Sequence, residues 1–383
     1  MIYLDANATT PVDPAVLDAM MPFWRENWAN ASSSYAAGRK ARKAVESARE
    51  QVAALIGAEA REVVFTSGAT ESINAVHASV RHLWPEKKLL ITTKTEHAAG
   101  LECATRWQQS GGEVRMLGVD QNGLIDLTEL RDALQASPAA LVSILWANNE
   151  TGVIQPMREI ANMAHELGAL VHADAVQMIG KAPLDAKVDF LSLSGHKFHA
   201  PKGIGALFVS QRVRFEPLLI GGGQEGGRRS GTENVPGIVG LGKASEWAMT
   251  TCSSELRDAF EAQIVSEWPD AVIHGQQAPR LPTTSSIYFP GIDAAGMLIL
   301  LDQAGVACSA GSACHTATLH PSHVLEAMGY DAKHASSTLR FSGHYAYQKN
   351  IDQTTQRDAG YAPHHNLYTR ADWRFYPDWL LSG

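Results

Sequence analysis

Between about residue 60 and residue 210, short apolar or β-branched runs alternate with stretches of helical spacing. The runs are Val63–Thr66, Leu89–Thr93, Val114–Val119, Leu141–Trp146, Ala169–Ala173, Phe190–Ser194 and Ile204–Val209. Between several of them, Glu71–Leu83, Leu101–Gln109, Leu127–Leu134 and Met157–Leu167 carry apolar residues three and four apart, which predicts amphipathic helices. This rhythm predicts βαβ units and an α/β fold with a mostly parallel seven-stranded sheet, covered on both faces. Ligands of such sheets sit at the C-terminal strand ends, so polar residues there are the candidates for chemistry.

Upstream, Ala36–Ile56 reads as one long amphipathic helix that stops at Gly57. Downstream come the glycine-rich stretch Gly221–Gly227 and a helical run at Val235–Met249. From about residue 252 the pattern turns α+β, which predicts a second, smaller domain. The final stretch, Gly343–Gly383, holds five of the nine Tyr together with Trp373 and Trp379, and keeps neither a helical nor a strand period. It reads either as an appendage or as a sequence altered late in the gene.

Composition narrows the function classes. The chain has 383 residues, 45% hydrophobic, with 32 Lys+Arg against 40 Asp+Glu and a net charge of −8. Disordered and collagenous chains lack such an apolar fraction, and a binder of nucleic acid working through bulk charge is basic. The four cysteines, Cys103, Cys252, Cys308 and Cys314, are too few for a disulfide scaffold of this length. The first residues show no basic and apolar leader pattern, and apolar runs such as Met297–Leu301 fall far short of the ~18 residues of a membrane span. The expectation is a soluble, cytoplasmic protein with reduced thiols and no membrane or direct nucleic-acid partner. Each Cys is then a small buried hydrophobe or a reactive group.

Four polar clusters follow predicted strands. Ser192–Lys197 ends in a lysine; partly desolvated, such an amine forms a Schiff base with an aldehyde, although a lone loop lysine is ordinarily just exposed. Val171–Gln177 ends a strand with Asp174, which suits a protonated pyridine nitrogen, as in pyridoxal phosphate chemistry, or equally a helix N-cap. Phe65–Glu71 puts small residues between strand and helix, where free amides and the helix dipole attract an anion; it is neither a Walker loop nor a dinucleotide fingerprint. Thr95-Glu96-His97 offers an imidazole to lie on a flat ring and relay protons, or a structural histidine. Singly each is weak, but together they supply a Schiff-base lysine, a pyridine acid, a phosphate turn and a stacking histidine.

With these motifs the sequence resembles the NifS/IscS-type cysteine desulfurases, pyridoxal-phosphate enzymes of the class V aminotransferase group with fold type I. The matching stretches are Tyr3–Thr10, Phe65–Ser72, Asn148–Val153, His172–Gln177, Ser194–Lys197 with Pro201–Gly205, Arg229–Thr232 and Ser309–Cys314. They span residues 1 to about 342. The resemblance implies that Lys197 carries the cofactor, Asp174 pairs with the pyridine nitrogen, Gln177 bonds the ring oxygen and His97 stacks on the ring. It assigns the phosphate to Ala69, Thr70, Ser194 and His196, joined by Thr232 of the partner subunit, and hence implies a homodimer. Asn149 and Arg340 are implied for the substrate carboxylate. The expected division is a large pyridoxal-phosphate-binding domain at 14–251 and a smaller α+β domain made of 1–13 and 252–383, with 343–383 as a divergent tail.

By the same resemblance Cys314 is the nucleophile and Cys308 is not. Cys314 lies in a run of small side chains, Val306–Cys314, that suits a mobile loop. The spacing of Cys308 and Cys314, with no second Cys/His pair, does not fit a zinc site, so no metal is expected. The implied reaction takes sulfur from L-cysteine, leaves alanine and a Cys314 persulfide, and passes the sulfur to an acceptor protein for iron–sulfur cluster assembly or thiolation. Two stretches depart from the family pattern. Where the family reads Asn-Pro-Ser-Ser-x-His, this chain has Asn30-Ala31-Ser32-Ser33-Ser34-Tyr35, and beyond Ser342 the tail is unlike the family's C-terminal helix. Competing readings are a class V lyase or aminotransferase without persulfide chemistry, and a catalytically weakened partner protein.

Overall fold

The computed structural model describes residues 1–248, 253–310 and 321–343, with the backbone of two short strands at 345–347 and 365–367. Cys252 and Cys314 lie outside the described residues.

The seven apolar runs form one seven-stranded sheet. Across it the strands are Val63–Thr66, Gly205–Val209, Phe190–Ser194, Leu170–Asp174, Ala139–Leu145, Leu89–Thr93 and Glu113–Leu117. Gly205–Val209 runs antiparallel to both its neighbours, and the other pairings are parallel. Most of these strands are buried along their whole length, because helices cover both faces. One apolar layer gathers Val63, Ile91, Val142 and Val171 with the helices Ala36–Ile56 and Val235–Trp247; the opposite layer gathers Val64, Leu90, Leu141 and Phe190 with the helix Ala69–Leu83. The long helix ends where the sequence says it should. Gly57 adopts a left-handed φ of 66°, and its N–H closes onto the carbonyl of Ala53, a turn that costs a glycine no Cβ clash.

Small shifts in boundary matter for the site. The strand predicted to end at Ala173 includes Asp174, because Asp174 is in register with Leu145 and Ser192. The helix predicted from Glu71 begins at Ala69, which puts Ala69 and Thr70 in its first turn.

A second sheet pairs Thr284–Tyr288 antiparallel with Thr338–Ser342 on one side and Val272–Ile273 on the other. It has its own apolar cluster of Ile264, Ile273, Ile287, Phe289, Leu339 and Phe341, with Leu4 and Cys308 packed against it. The first ten residues connect the two sheets. Ile2–Tyr3 pairs in parallel with Val306–Ala307, the Ala6 N–H donates to Ser342 O at 3.0 Å, and the Thr10 N–H donates to His196 O at 2.8 Å. In the tail, Tyr345–Tyr347 pairs antiparallel with His365–Leu367, although the sequence there shows no strand period.

Candidate active site

The C-terminal ends of the strands bring the predicted clusters together. Phe190–Ser194 runs into a short 3-10 turn, Gly195–Lys197, that carries the lysine. The Lys197 Nζ donates to the backbone oxygens of Asn7 at 2.7 Å and Ala8 at 2.8 Å. Asp174 ends the adjacent strand, buried, and its Oδ1 accepts the Val176 N–H at 3.0 Å. Burial pushes its carboxyl up to about 6; the Val176 amide and the Lys197 ammonium pull the other way. A cation placed against Asp174, such as a protonated pyridine, would pull it further toward the ionised form.

Gln177 lies three residues on, and its Nε2 donates to Asn7 O at 3.0 Å. His97 caps the helix Ala98–Gln109, its Nδ1 accepting the Ala99 N–H at 3.2 Å. That fixes the neutral ring's hydrogen on Nε2. Burial holds His97 below the usual histidine range, helped by the charges of Lys197 and His323.

The anion cup is built by close approach. A Cβ on Gly205 would stand 2.5 Å from Leu193 O and 2.7 Å from the Cα of Gly68, so only glycine lets the turn before Ala69 lie against this strand. Ser194 lies beside that turn, and the first-turn amides of Ala69 and Thr70 have no carbonyl one turn earlier to bond. The Ser67 N–H is taken by Glu71 Oε2 at 2.8 Å, and Glu71 is held by Arg229 at 2.8 Å. His196 Nδ1 meets Thr9 Oγ1 at 3.2 Å, and burial, with Lys197 next, lowers its pKa to about 4. These donors fit a phosphate ester: neutral amides and hydroxyls at a helix N-terminus, with lysines nearby. Thr232 is exposed, just ahead of Val235–Trp247.

Arg340 is buried on the second sheet. Its Nη2 donates to Asp5 Oδ1 at 2.6 Å and its Nη1 to Asn149 O at 3.1 Å, while Nε has no hydrogen-bond partner among the described residues. A guanidinium with an unpaired N–H suits a carboxylate ligand. Cys308 sits close by, but burial pushes its thiol up to about 12, with Asp5 adding to the rise; Cys103 is pushed up to about 11. Neither is poised as a thiolate.

Three residues of the site escape the sequence reading. Asn7 is buried, and its backbone oxygen accepts from both Lys197 and Gln177 while its Nδ2 donates to Asn149 O at 3.1 Å and Thr284 Oγ1 at 3.0 Å. Its only signal is membership of the Tyr3–Thr10 stretch. Lys181 is buried four residues after Gln177. Glu96 is buried, accepts the Leu145 N–H at 2.7 Å, and is pushed by burial up to about 8.

The class V aminotransferase family model matches residues 2–354, and the chain belongs to that family. Cysteine desulfurases of Nostoc sp. and Klebsiella pneumoniae are 47% and 44% identical to it, over 93% and 92% of this chain and 91% and 90% of theirs. Within the family it falls among the cysteine desulfurases. Two solved structures superpose closely. A NifS-like protein gives a TM-score of 0.82 at 39% identity, covering 89% of this chain and 93% of that one. SspA in complex with cysteine gives 0.81 at 35%, covering 89% and 98%.

Proposed function

We propose that the protein binds pyridoxal 5'-phosphate through Lys197 and takes sulfur from L-cysteine, leaving L-alanine and a persulfide on Cys314. The observation that carries this reading is the convergence of Lys197, Asp174, Gln177 and His97 beside a small-residue anion cup. The family's dependence on this cofactor and a structural neighbour bound to cysteine support it.

Bound there, the cofactor would supply an electron sink for the bonds at the substrate's Cα and Cβ. Ala69, Thr70, Ser194 and His196 hold the phosphate, with Thr232 of the partner subunit, and Asp174 holds a proton on the ring nitrogen. Gln177 has a second N–H to offer the ring oxygen once Asn7 O has taken the first. Arg340 and Asn149 orient the substrate carboxylate. Lys197 moves the Cα proton, and neutral His97, beside it, accepts and returns a proton at its ring nitrogen. The Cys314 thiolate forms an S–S bond to the substrate sulfur as the C–S bond breaks, and the carbon skeleton, reprotonated, leaves as alanine. The sulfur then passes to an acceptor protein.

We read the protein as a cytoplasmic homodimer, with 14–251 as the large domain and 1–13 joined to 252–383 as the small one. The separate apolar cluster around Ile287 supports that division. The deciding experiment measures alanine from L-cysteine together with the sulfide that a thiol reductant such as dithiothreitol releases from the persulfide. Cys314→Ser should lose both products and keep the cofactor absorption, whereas Cys308→Ala should keep all three. Full sulfide release by Cys314→Ser would move the nucleophile elsewhere.

A further inference from the structure

Lys181 is 4% exposed, an ammonium taken almost wholly from water. It stands in the turns that follow Asp174, and its Nζ donates to Gln177 Oε1 at 2.6 Å and Asn7 Oδ1 at 3.2 Å. An ammonium only donates, so both amides must turn their oxygens toward it. Their NH2 groups are thereby aimed away: Gln177 Nε2 to Asn7 O, and Asn7 Nδ2 to Asn149 O and Thr284 Oγ1. One chain of bonds thus reaches the residue assigned to the cofactor ring oxygen. Another reaches Asn149, whose carbonyl also takes Arg340.

We propose that Lys181 is a positioning residue for the cofactor: it fixes the amide orientations of Gln177 and Asn7 and places a positive charge behind Gln177, the residue assigned to the ring oxygen. Titratable groups around it include Lys197, which bonds the same Asn7, and His196 and His199, which both feel its charge. Lys202 also acts on His196, and Asp13 on His199. Both imidazoles are held below the usual range, burial first and Lys181 among the lesser causes, so they stay neutral near neutral pH.

The consequence is electrostatic and has a definite sign. Were pyridoxal phosphate bound at Lys197, loss of a proton there would leave net negative charge at the ring oxygen that Gln177 faces. A cation behind Gln177 favours that form, so Lys181 lowers the pH at which the visible absorption titrates.

This inference rests on the proposed cofactor reading, and its test separates the two. The cofactor-loaded full chain is titrated against pH while its visible band is followed, in wild type, Lys181→Met, Lys181→Gln and Lys181→Arg. Lys181→Met and Lys181→Gln should raise the midpoint by about one pH unit, and Lys181→Arg should leave it near wild type. Lys181→Gln keeps a donor for both oxygens, so it stays informative should Lys181→Met unfold. A purely structural lysine would lower the melting temperature without moving the midpoint. A wild-type midpoint in Lys181→Gln therefore overturns the proposal, whatever its melting temperature. A wild-type chain that takes up no pyridoxal phosphate overturns the cofactor reading as well.

Discussion

The Lys197 ammonium lies 2.7 Å from the backbone oxygen of Asn7, a residue 190 positions earlier in the chain. Two neutral carbonyls, those of Asn7 and Ala8, hold the amine in place within the turn. Replacing the lysine should therefore cost little in folding and everything in cofactor retention. Lys197→Ala should melt within a few degrees of wild type, yet show no covalent label after borohydride reduction. A labelled peptide elsewhere would reassign the lysine. Asn7→Ala removes three side-chain bonds, those to Thr284 and Lys181 buried and that to Asn149 partly so, and should destabilise the chain by about 2–4 kcal/mol in urea titrations.

Gly205→Ala tests the anion cup. The added methyl would meet Leu193 O and the Gly68 Cα well inside contact distance, so the turn ahead of Ala69 must move out. The expected result is a weaker hold on pyridoxal phosphate, at least tenfold by equilibrium dialysis, together with a lower melting temperature. Unchanged affinity would detach the cup from the cofactor.

Arg340 is planar, buried and paired with Asp5 at 2.6 Å. A lysine in its place keeps the charge and loses the fork. Arg340→Lys should raise KM for L-cysteine by roughly tenfold or more while leaving the cofactor spectrum alone. Equal KM values would place the carboxylate elsewhere.

Buried titratable groups set the pH dependence of the cofactor-free chain. Glu96 rises from 4.5 unfolded to about 8 folded, so between those values the native chain holds a proton that the unfolded chain has lost. Stability then falls as pH rises, by about 1.4 kcal/mol per pH unit. His77 and His172 are lowered by burial to about 4 and about 3, so the unfolded chain takes up protons below pH 6.5 while the native chain does not. Their contribution is present above 6.5 and is lost as pH falls. Melting temperature should peak near neutrality and decline on both sides. Glu96→Gln, which mimics the protonated acid, should flatten the alkaline side; an unaltered slope there would mean that Glu96 is ionised in the native chain.

What the sequence discloses and what it hides divide by distance along the chain. Apolar runs such as Leu141–Trp146 and Phe190–Ser194 mark their strands because burial on both faces leaves an unbroken apolar signature. Lys197, Asp174 and His97 are readable because they stand next to such runs. Asn7 is different: its partners Thr284 and Ser342 are 277 and 335 residues away, and no local periodicity records such contacts. Lys181 hides for another reason. A lysine in a turn is normally solvated, and only the folded chain shows it buried. The elements after residue 252 were legible only as mixed α+β, since their helices, such as Ala294–Gln303, lack a clear polar face.

Asn7 also bonds Ser342, and Asp5 bonds Arg340, each across 335 residues. A ribosome adding about 5–20 residues per second therefore leaves Asp5 and Asn7 waiting roughly 20–70 s for these partners. The central sheet is complete in the nascent chain long before then, but the pocket is not. On the proposed cofactor reading, chains stalled ahead of residue 338 should trap no pyridoxal phosphate on Lys197.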